Sequence, residues 1–148
     1  MKIKLIIADD HRIFSEGLIT VLNTDESIEI AGVAKDGKEA IDKAFELDVD
    51  ILIMDISMPK MDGIEATRYL KTKLPSLKII ALSMHAEKQY VIKMLKAGID
   101  GYVLKNNSSQ ELLHAIHSVY NNKKYLSADV TPLIISDYID KKIKAVSR

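Results

Sequence analysis

The sequence predicts a doubly wound α/β fold, a parallel sheet covered on both faces by helices. Three observations predict it. Short apolar runs alternate with amphipathic stretches of helical period, five times over about 120 residues. The runs are apolar throughout, the pattern of strands buried on both faces and therefore of a parallel sheet joined by right-handed crossovers. The length, 148 residues, suffices for one domain with its own core.

Residues 3–9 (IKLIIAD) are the first strand, an apolar run that ends in acid. Ile13, Phe14, Leu18, Val21 and Leu22 recur at helical spacing, so a first helix covers 12–24. Ile28–Ala34 is the second strand, and Asp36-Gly37 leads into a helix over 38–47 with Ala40, Ile41, Ala44, Phe45 and Leu47 on its apolar side. Residues 50–55 (DILIMD) form the third strand. The third helix, over 63–74, has Ile64, Thr67, Leu70 and Leu74 as its inner row, and Pro75 stops it. Lys78–Ser83 is the fourth strand, followed by a helix over 87–98 that Gly98 closes. Residues 100–105 (DGYVLK) are the fifth strand, and the fifth helix covers 108–122, with Ser108 and Glu111 at capping-box spacing. Beyond it, Ile135, Ile139 and Ile143 recur every fourth residue and predict a sixth helix. Thr131-Pro132 suits its start, with Ser127 as a rival.

Composition narrows the function. Lys plus Arg and Asp plus Glu both number 21, so the chain as a whole offers no electrostatic case for nucleic acid or membrane. The absence of cysteine excludes disulfides, thiolate metal sites and a cysteine nucleophile. The opening MKIKLIIADD has too short an apolar run for a signal peptide or a membrane span, so a soluble, cytoplasmic protein is expected.

The strand ends carry the chemistry. A parallel sheet brings Asp9-Asp10, Asp55, Ser83 and Lys105 to one edge, where ligands of such sheets bind. Three clustered carboxylates repel one another. A hard divalent cation such as Mg²⁺ resolves that repulsion with carboxylates, a carbonyl and water. A lysine and a hydroxyl beside it suit a phosphoryl group, with one carboxylate as nucleophile. Taken alone, Asp9 and Asp10 read equally well as caps of the first helix, and Lys105 as a solvated strand end.

The segments ADDH, MDISMPKMDG, ALSMH and GYVLK, in this order and at these spacings, resemble the receiver domain of two-component response regulators over about residues 1–122. The resemblance implies a flavodoxin-like (βα)5 sheet of strand order 2-1-3-4-5. It implies that Asp55 accepts a phosphoryl group from a phosphohistidine on a sensor histidine kinase. Asp9, Asp10, Asp55 and the backbone carbonyl of Ser57 would hold Mg²⁺. Lys105 would pair with the phosphoryl group, Ser83 would contact it, and Tyr102 would turn inward with the switch. Met58-Pro59 would shape the loop after the nucleophile, and Asp62-Gly63 would start the next helix. No enzymatic activity is expected beyond this self-phosphorylation and its reversal.

The wording DGIEATRYLK and HAEKQYVIKMLKAGIDGYVLK is most similar to the NarL/FixJ (LuxR-type) transcription regulators, in which a linker helix and a helix-turn-helix domain follow the receiver. The expectation is a receiver over 1–122 and a linker helix over 123–148, leading towards a DNA-binding domain absent from this chain. DNA would then be met only through that domain, and phosphorylation would promote a homodimer through first-to-fifth or fourth-to-fifth helix contacts. The alternative is a stand-alone receiver acting by protein contacts.

Other classes fit less well. A haloacid-dehalogenase hydrolase needs a second acid two residues after its nucleophile, where Ser57 stands. A nucleotide or flavin site needs a glycine-rich loop after the first strand, where DDHRIFSEG is acidic. His11 and His85 read as helix-start and loop residues, and His114 and His117 as solvated. Ser57 and His85 are candidates for tuning how fast water reaches an acyl phosphate.

Overall fold

The structure, a computed structural model of the chain, describes residues 2–84, 86–107 and 109–146. The expectations for His85, Ser108 and Arg148 lie outside the described residues. The elements run β1 (Ile3–Ala8), α1 (Arg12–Leu22), β2 (Ile28–Ala34), α2 (Gly37–Glu46), β3 (Ile51–Met54), α3 (Gly63–Lys73), β4 (Lys78–Ser83), α4 (Lys88–Ala97), β5 (Gly101–Leu104), α5 (Ser109–Tyr120), β6 (Tyr125–Leu126) and α6 (Thr131–Val146). The strands form one sheet in the order β2-β1-β3-β4-β5-β6, and every pairing is parallel. The five-strand order is the expected one, extended by the two-residue β6 within the expected linker.

Alternate residues along each strand feed two cores, as strand geometry requires. Ile6, Leu52, Met54, Ile79, Ala81 and Tyr102 face α2, α3 and α4, with Ala40, Ala66, Leu70, Val91 and Met94 packed on them. Leu5, Ile7, Ile53, Ile80, Leu82 and Val103 face α1 and α5, covered by Leu18, Leu22, Leu112, Ile116 and Val119. Because both faces are covered, the central strands are apolar through their middles, and polar residues such as Lys4, Lys78 and Ser83 stand near strand ends or at exposed positions.

Two helices start on the aspartates that the sequence offers. Asp36 accepts the Glu39 amide at 2.8 Å, and Asp62 accepts the Glu65 amide at 2.9 Å. Gly98 ends α4 at φ +101°, a left-handed conformation that favours glycine. α1 differs. Its N-cap is His11, without a side-chain cap bond, so neither Asp9 nor Asp10 serves as the helix cap. Asp9 instead accepts the His11 amide at 2.8 Å while its carboxylate stays at the sheet edge.

Five apolar residues of the expected helix faces are on the surface. Ile13 is 88% exposed, and Phe45 is exposed beside Tyr69, ring edge to ring face at 6.4 Å. Ile135, Ile139 and Ile143 are exposed too. The face of α6 that docks carries Leu133 and Ile134, continuing from the fully buried Val130. A four-residue repeat identifies a helix, but it does not say which face a neighbour covers. The segment after residue 122 stays against the receiver before α6 begins. β6 joins the sheet, Ser127 and Val130 are fully buried, and α6 then begins at Thr131.

Candidate functional site

The edge at the carboxyl ends of the strands gathers the predicted residues. Asp9 follows β1, Asp55 follows β3, Ser83 closes β4 and Lys105 follows β5. The backbone fixes them in register: the Asp9 amide donates to Ala34 O, the Asp55 amide to Ala8 O and the Lys105 amide to Ser83 O, at 2.8–2.9 Å. The loop after Asp55 folds back upon it. The Gly63 amide donates to Ile56 O at 2.8 Å, and a Cβ on Gly63 would collide with the Asp55 carbonyl oxygen. Within that loop Lys60 adopts φ +65°. Ser57 lies exposed two residues past Asp55.

The side chains of Asp55, Asp9 and Lys105 are each at most 4% exposed. Lys105 Nζ lies 2.6 Å from Asp9 Oδ2 and 3.3 Å from Asp55 Oδ2. One ammonium thus serves two buried carboxylates, and the nearer is Asp9. Asp55 Oδ1 also accepts the Ile56 amide at 2.8 Å. Burial pushes the Asp55 carboxyl above its usual range, Lys105 opposes the rise, and the negative Asp9 adds to it. Asp10 extends the cluster from a more exposed position.

Two further residues of α1 and its start join the cluster. His11 Nδ1 stands 3.0 Å from Asp9 Oδ1, 3.4 Å from Asp10 Oδ1 and 3.8 Å from Asp55 Oδ2. Its place directly after the acidic pair was the available signal. Phe14 presents its ring to Lys105 Nζ, 4.5 Å from the centroid, a cation–π contact that no local motif announces. Ligand atoms of Asp9, Asp10, His11 and Asp55 all fall within 4.8 Å of one another. Three carboxylates converging beside a single ammonium suit a hard divalent cation.

Ser83 and Tyr102 line the other flank and both are fully buried. Burial pushes the Tyr102 hydroxyl up to about 12, against a hydrogen bond from Ser83 and with the charges of Glu87 and Asp55 adding to the rise. Tyr102 is thus packed inside the molecule, beside Ser83. Beside the site, α1 and α5 enclose a cavity of about 340 Å³ with Phe14, Leu82, Val103 and Leu112 on its walls and Ile13 and Gly17 at α1.

A parallel sheet with a buried Asp–Lys–Asp group at its carboxyl edge defines a class, and sequence comparison agrees with it. Residues 5–117 match the family described as the response regulator receiver domain, and the chain belongs to that family. It is a receiver domain of the two-component system, and its relatives are LuxR/NarL-type regulators. Response regulator protein VraR of Staphylococcus saprophyticus is 39% identical over 130 residues, which cover 88% of this chain and 62% of that protein. Transcriptional regulatory protein DegU of Brevibacillus brevis is 36% identical, over 93% of this chain and 58% of its own. The chain thus spans about three fifths of the length of these relatives. Among solved structures, a LuxR-family two-component response regulator from Aurantimonas sp. superposes with a TM-score of 0.88 at 28% identity, covering 94% of this chain and 99% of that one. The isolated receiver domain of RcsB from Salmonella enterica serovar Typhimurium, with the phosphomimetic BeF3-, gives 0.83 at 33% identity, covering 90% and 99%. Among the described residues no helix is long and apolar enough to cross a membrane.

Proposed function

We propose that Asp55 accepts a phosphoryl group from a phosphohistidine of a sensor histidine kinase in the cytoplasm. The observation that supports this best is the sharing of Lys105 between Asp9 and Asp55, which leaves the strand-end carboxylate under-compensated and facing the loop. An Asp55 oxygen attacks phosphorus in line with the imidazole nitrogen. The P–N bond breaks, and its electron pair leaves on the imidazole. Asp9, Asp10, Asp55 and the Ser57 carbonyl are the groups to hold Mg²⁺, which supplies positive charge to the phosphoryl oxygens. Lys105, released from Asp55, turns its ammonium to the new oxygens, and Ser83 offers its hydroxyl from β4. Ser57, exposed two residues past Asp55, is the residue to set how fast water reaches the product.

Phosphorylation shifts a population between two arrangements of the edge, and the shifted state is a dimer. Of the two expected interfaces, α1 with α5 has the better surface. Ile13 stands fully out, and Gly17 has nothing within 4 Å of where a Cβ would sit, so α1 carries a knob and a gap on one face. In the whole protein this dimer would place a DNA-binding domain carried by further chain, as in relatives described as transcriptional regulators and in the solved RcsB–DNA complex.

The test is the intact mass of wild type and Asp55→Asn after incubation with a small-molecule phosphodonor, with and without Mg²⁺. A Mg²⁺-dependent gain of one phosphoryl group in wild type, absent from the variant, is expected. No gain in wild type would refute the reading.

A further inference from the structure

We propose that Ser127, Glu111 and Asn107 form a buried joint that couples the phosphorylation edge to the docking of α6. The proposal rests on the phosphorylation reading above and adds the route by which that event leaves the receiver.

Ser127 lies in the turn between β6 and α6 and is fully buried. Its hydroxyl donates to Glu111 Oε1 at 2.6 Å and accepts from the Leu104 amide and from Asn107 Nδ2, both at 3.3 Å. Asn107 Nδ2 also donates to Glu111 Oε2 at 2.9 Å, and the Tyr125 hydroxyl of β6 bonds the same carboxylate. The Ser127 backbone continues the connection. Its amide donates to Tyr102 O at 2.9 Å, and its carbonyl accepts the amides of Val130 at 2.9 Å and Thr131 at 3.3 Å. A single residue therefore touches β5, the loop after it, α5 and the first turn of α6.

Each of those inner contacts is next to the site. Leu104 directly precedes Lys105, whose ammonium bridges Asp9 and Asp55. Tyr102 bonds Ser83, and Asn107 is two residues beyond Lys105. In the proposed switch, Lys105 turning to new phosphoryl oxygens on Asp55 pulls on the end of β5 and the loop after it, where Leu104 and Asn107 bond Ser127. The hydroxyl of the fully buried Ser127, bonded to the half-buried Glu111 carboxylate, resists being left without that partner. The shift therefore either breaks the cluster or carries Ser127 along, and both outcomes move the start of α6. The far side of α6 is held more weakly, by Leu133 and Ile134 on the core and by Lys88 Nζ to Asp140 Oδ2 at 3.0 Å from α4. A firm joint at one end and a surface pair at the other make α6 the element that yields. Its exposed row of Ile135, Ile139 and Ile143 would be re-aimed by that movement.

The test is hydrogen–deuterium exchange on the full chain, with and without beryllofluoride plus Mg²⁺, comparing residues 131–146 with the loop over 55–63. In wild type, beryllofluoride should slow exchange in the loop and change it severalfold in α6. In Ser127→Ala the loop should respond as before while the α6 ratio falls towards one, and Ser127→Thr should restore it. Asn107→Ala, at a half-buried turn position, should reduce the α6 response even if Ser127→Ala folds poorly. A loop that responds while α6 does not, in wild type, would overturn the coupling and leave the phosphorylation reading intact. So would an equal change of α6 exchange in both states of the variants, which marks a plain anchor. A silent loop, with no phosphoryl group gained, would overturn both.

Discussion

Asp55 and Asp100 sit at opposite edges of the same sheet, equally buried and each beside lysine, yet their carboxyls shift in opposite directions. Burial raises both. At Asp100 the rise is reversed by the Ile79 amide at 2.9 Å, by Lys124 at 3.0 Å and by Lys71 at 3.0 Å. Asp100 has two ammonium groups to itself, whereas Asp55 shares one with Asp9 and faces that second negative charge. Satisfied charge at one edge ties α3, β4, β5 and the segment before β6 together. Unsatisfied charge at the other edge prepares a place for a cation and a phosphoryl group. The burial is the same; the partner count decides whether a carboxylate is structural or reactive.

The largest expected effect tests that contrast directly. Asp100→Ala leaves Lys71, only 17% exposed, without its carboxylate, and should cost about 3 kcal/mol in urea unfolding. Asp55→Asn removes a charge that its surroundings disfavour, so the variant should be within about 0.5 kcal/mol of wild type or more stable. Equal losses in the two variants would break the comparison.

Next comes the cation. Mg²⁺ binding to the folded state alone should stabilise wild type by about 2.7 kcal/mol at a hundredfold excess over Kd. Thermal unfolding should show this shift for wild type and Asp25→Asn, and should lose it for Asp9→Asn and Asp10→Asn. A shift that survives in Asp9→Asn would mean that the cation binds elsewhere.

The sequence shows one of these edges far better than the other. The reactive edge is legible because its residues interrupt apolar strands at their ends, where a parallel sheet must bring them together. Asp55 is conspicuous after ILIM for that reason. Asp100 is not, because its partners Lys71 and Lys124 lie on α3 and before β6, and nothing in their spacing shows that they meet. His11 starts α1 as expected, but its ring's place among the carboxylates is not legible, since ring direction depends on how α1 leaves the strand. The inner row of α3 is legible, with Thr67 and Leu70 buried, because Glu65, Arg68 and Thr72 mark the opposite face as polar. Ile13 failed because α1 has more apolar residues than its covered face can use. β6 was missed because two residues carry no period, and its place is set by the Tyr125 amide bonding Asp100 O and by the burial of Ser127.

pH sharpens the same comparison, with opposite signs. Asp100 has a lowered carboxyl, so its contribution is present above 3.8 and is lost as pH falls through its folded value. Asp55 has a raised carboxyl, so its contribution is present below 3.8 and is lost as pH rises through its folded value. Urea unfolding from pH 3 to 7 should therefore show the deficit of Asp100→Asn growing with pH. Asp55→Asn should gain on wild type over the same range. Parallel curves would mean that the two edges are electrostatically alike.

A third carboxylate separates shift from burial, and its expected effect is the smallest. Asp25, after α1, bonds His117 Nε2 at 2.8 Å, the Ser27 hydroxyl at 2.5 Å and the Ser27 amide at 2.9 Å. Chiefly through His117, and then Ser27, its carboxyl is drawn down to about 2. The direction matches Asp100, but the Asp25 side chain is 24% exposed and that of His117 is 43% exposed. Water screens this pair and rehydrates whichever partner is left behind, which it does not do for Lys71. His117→Ala should therefore cost only about 0.5–1 kcal/mol at neutral pH. The Asp25 contribution is present above 3.8 and is lost as pH falls through about 2, so the deficit of Asp25→Asn should shrink across that interval. If His117→Ala instead costs as much as Asp100→Ala, partner number alone governs these carboxylates, and burial does not decide which of them hold the fold together.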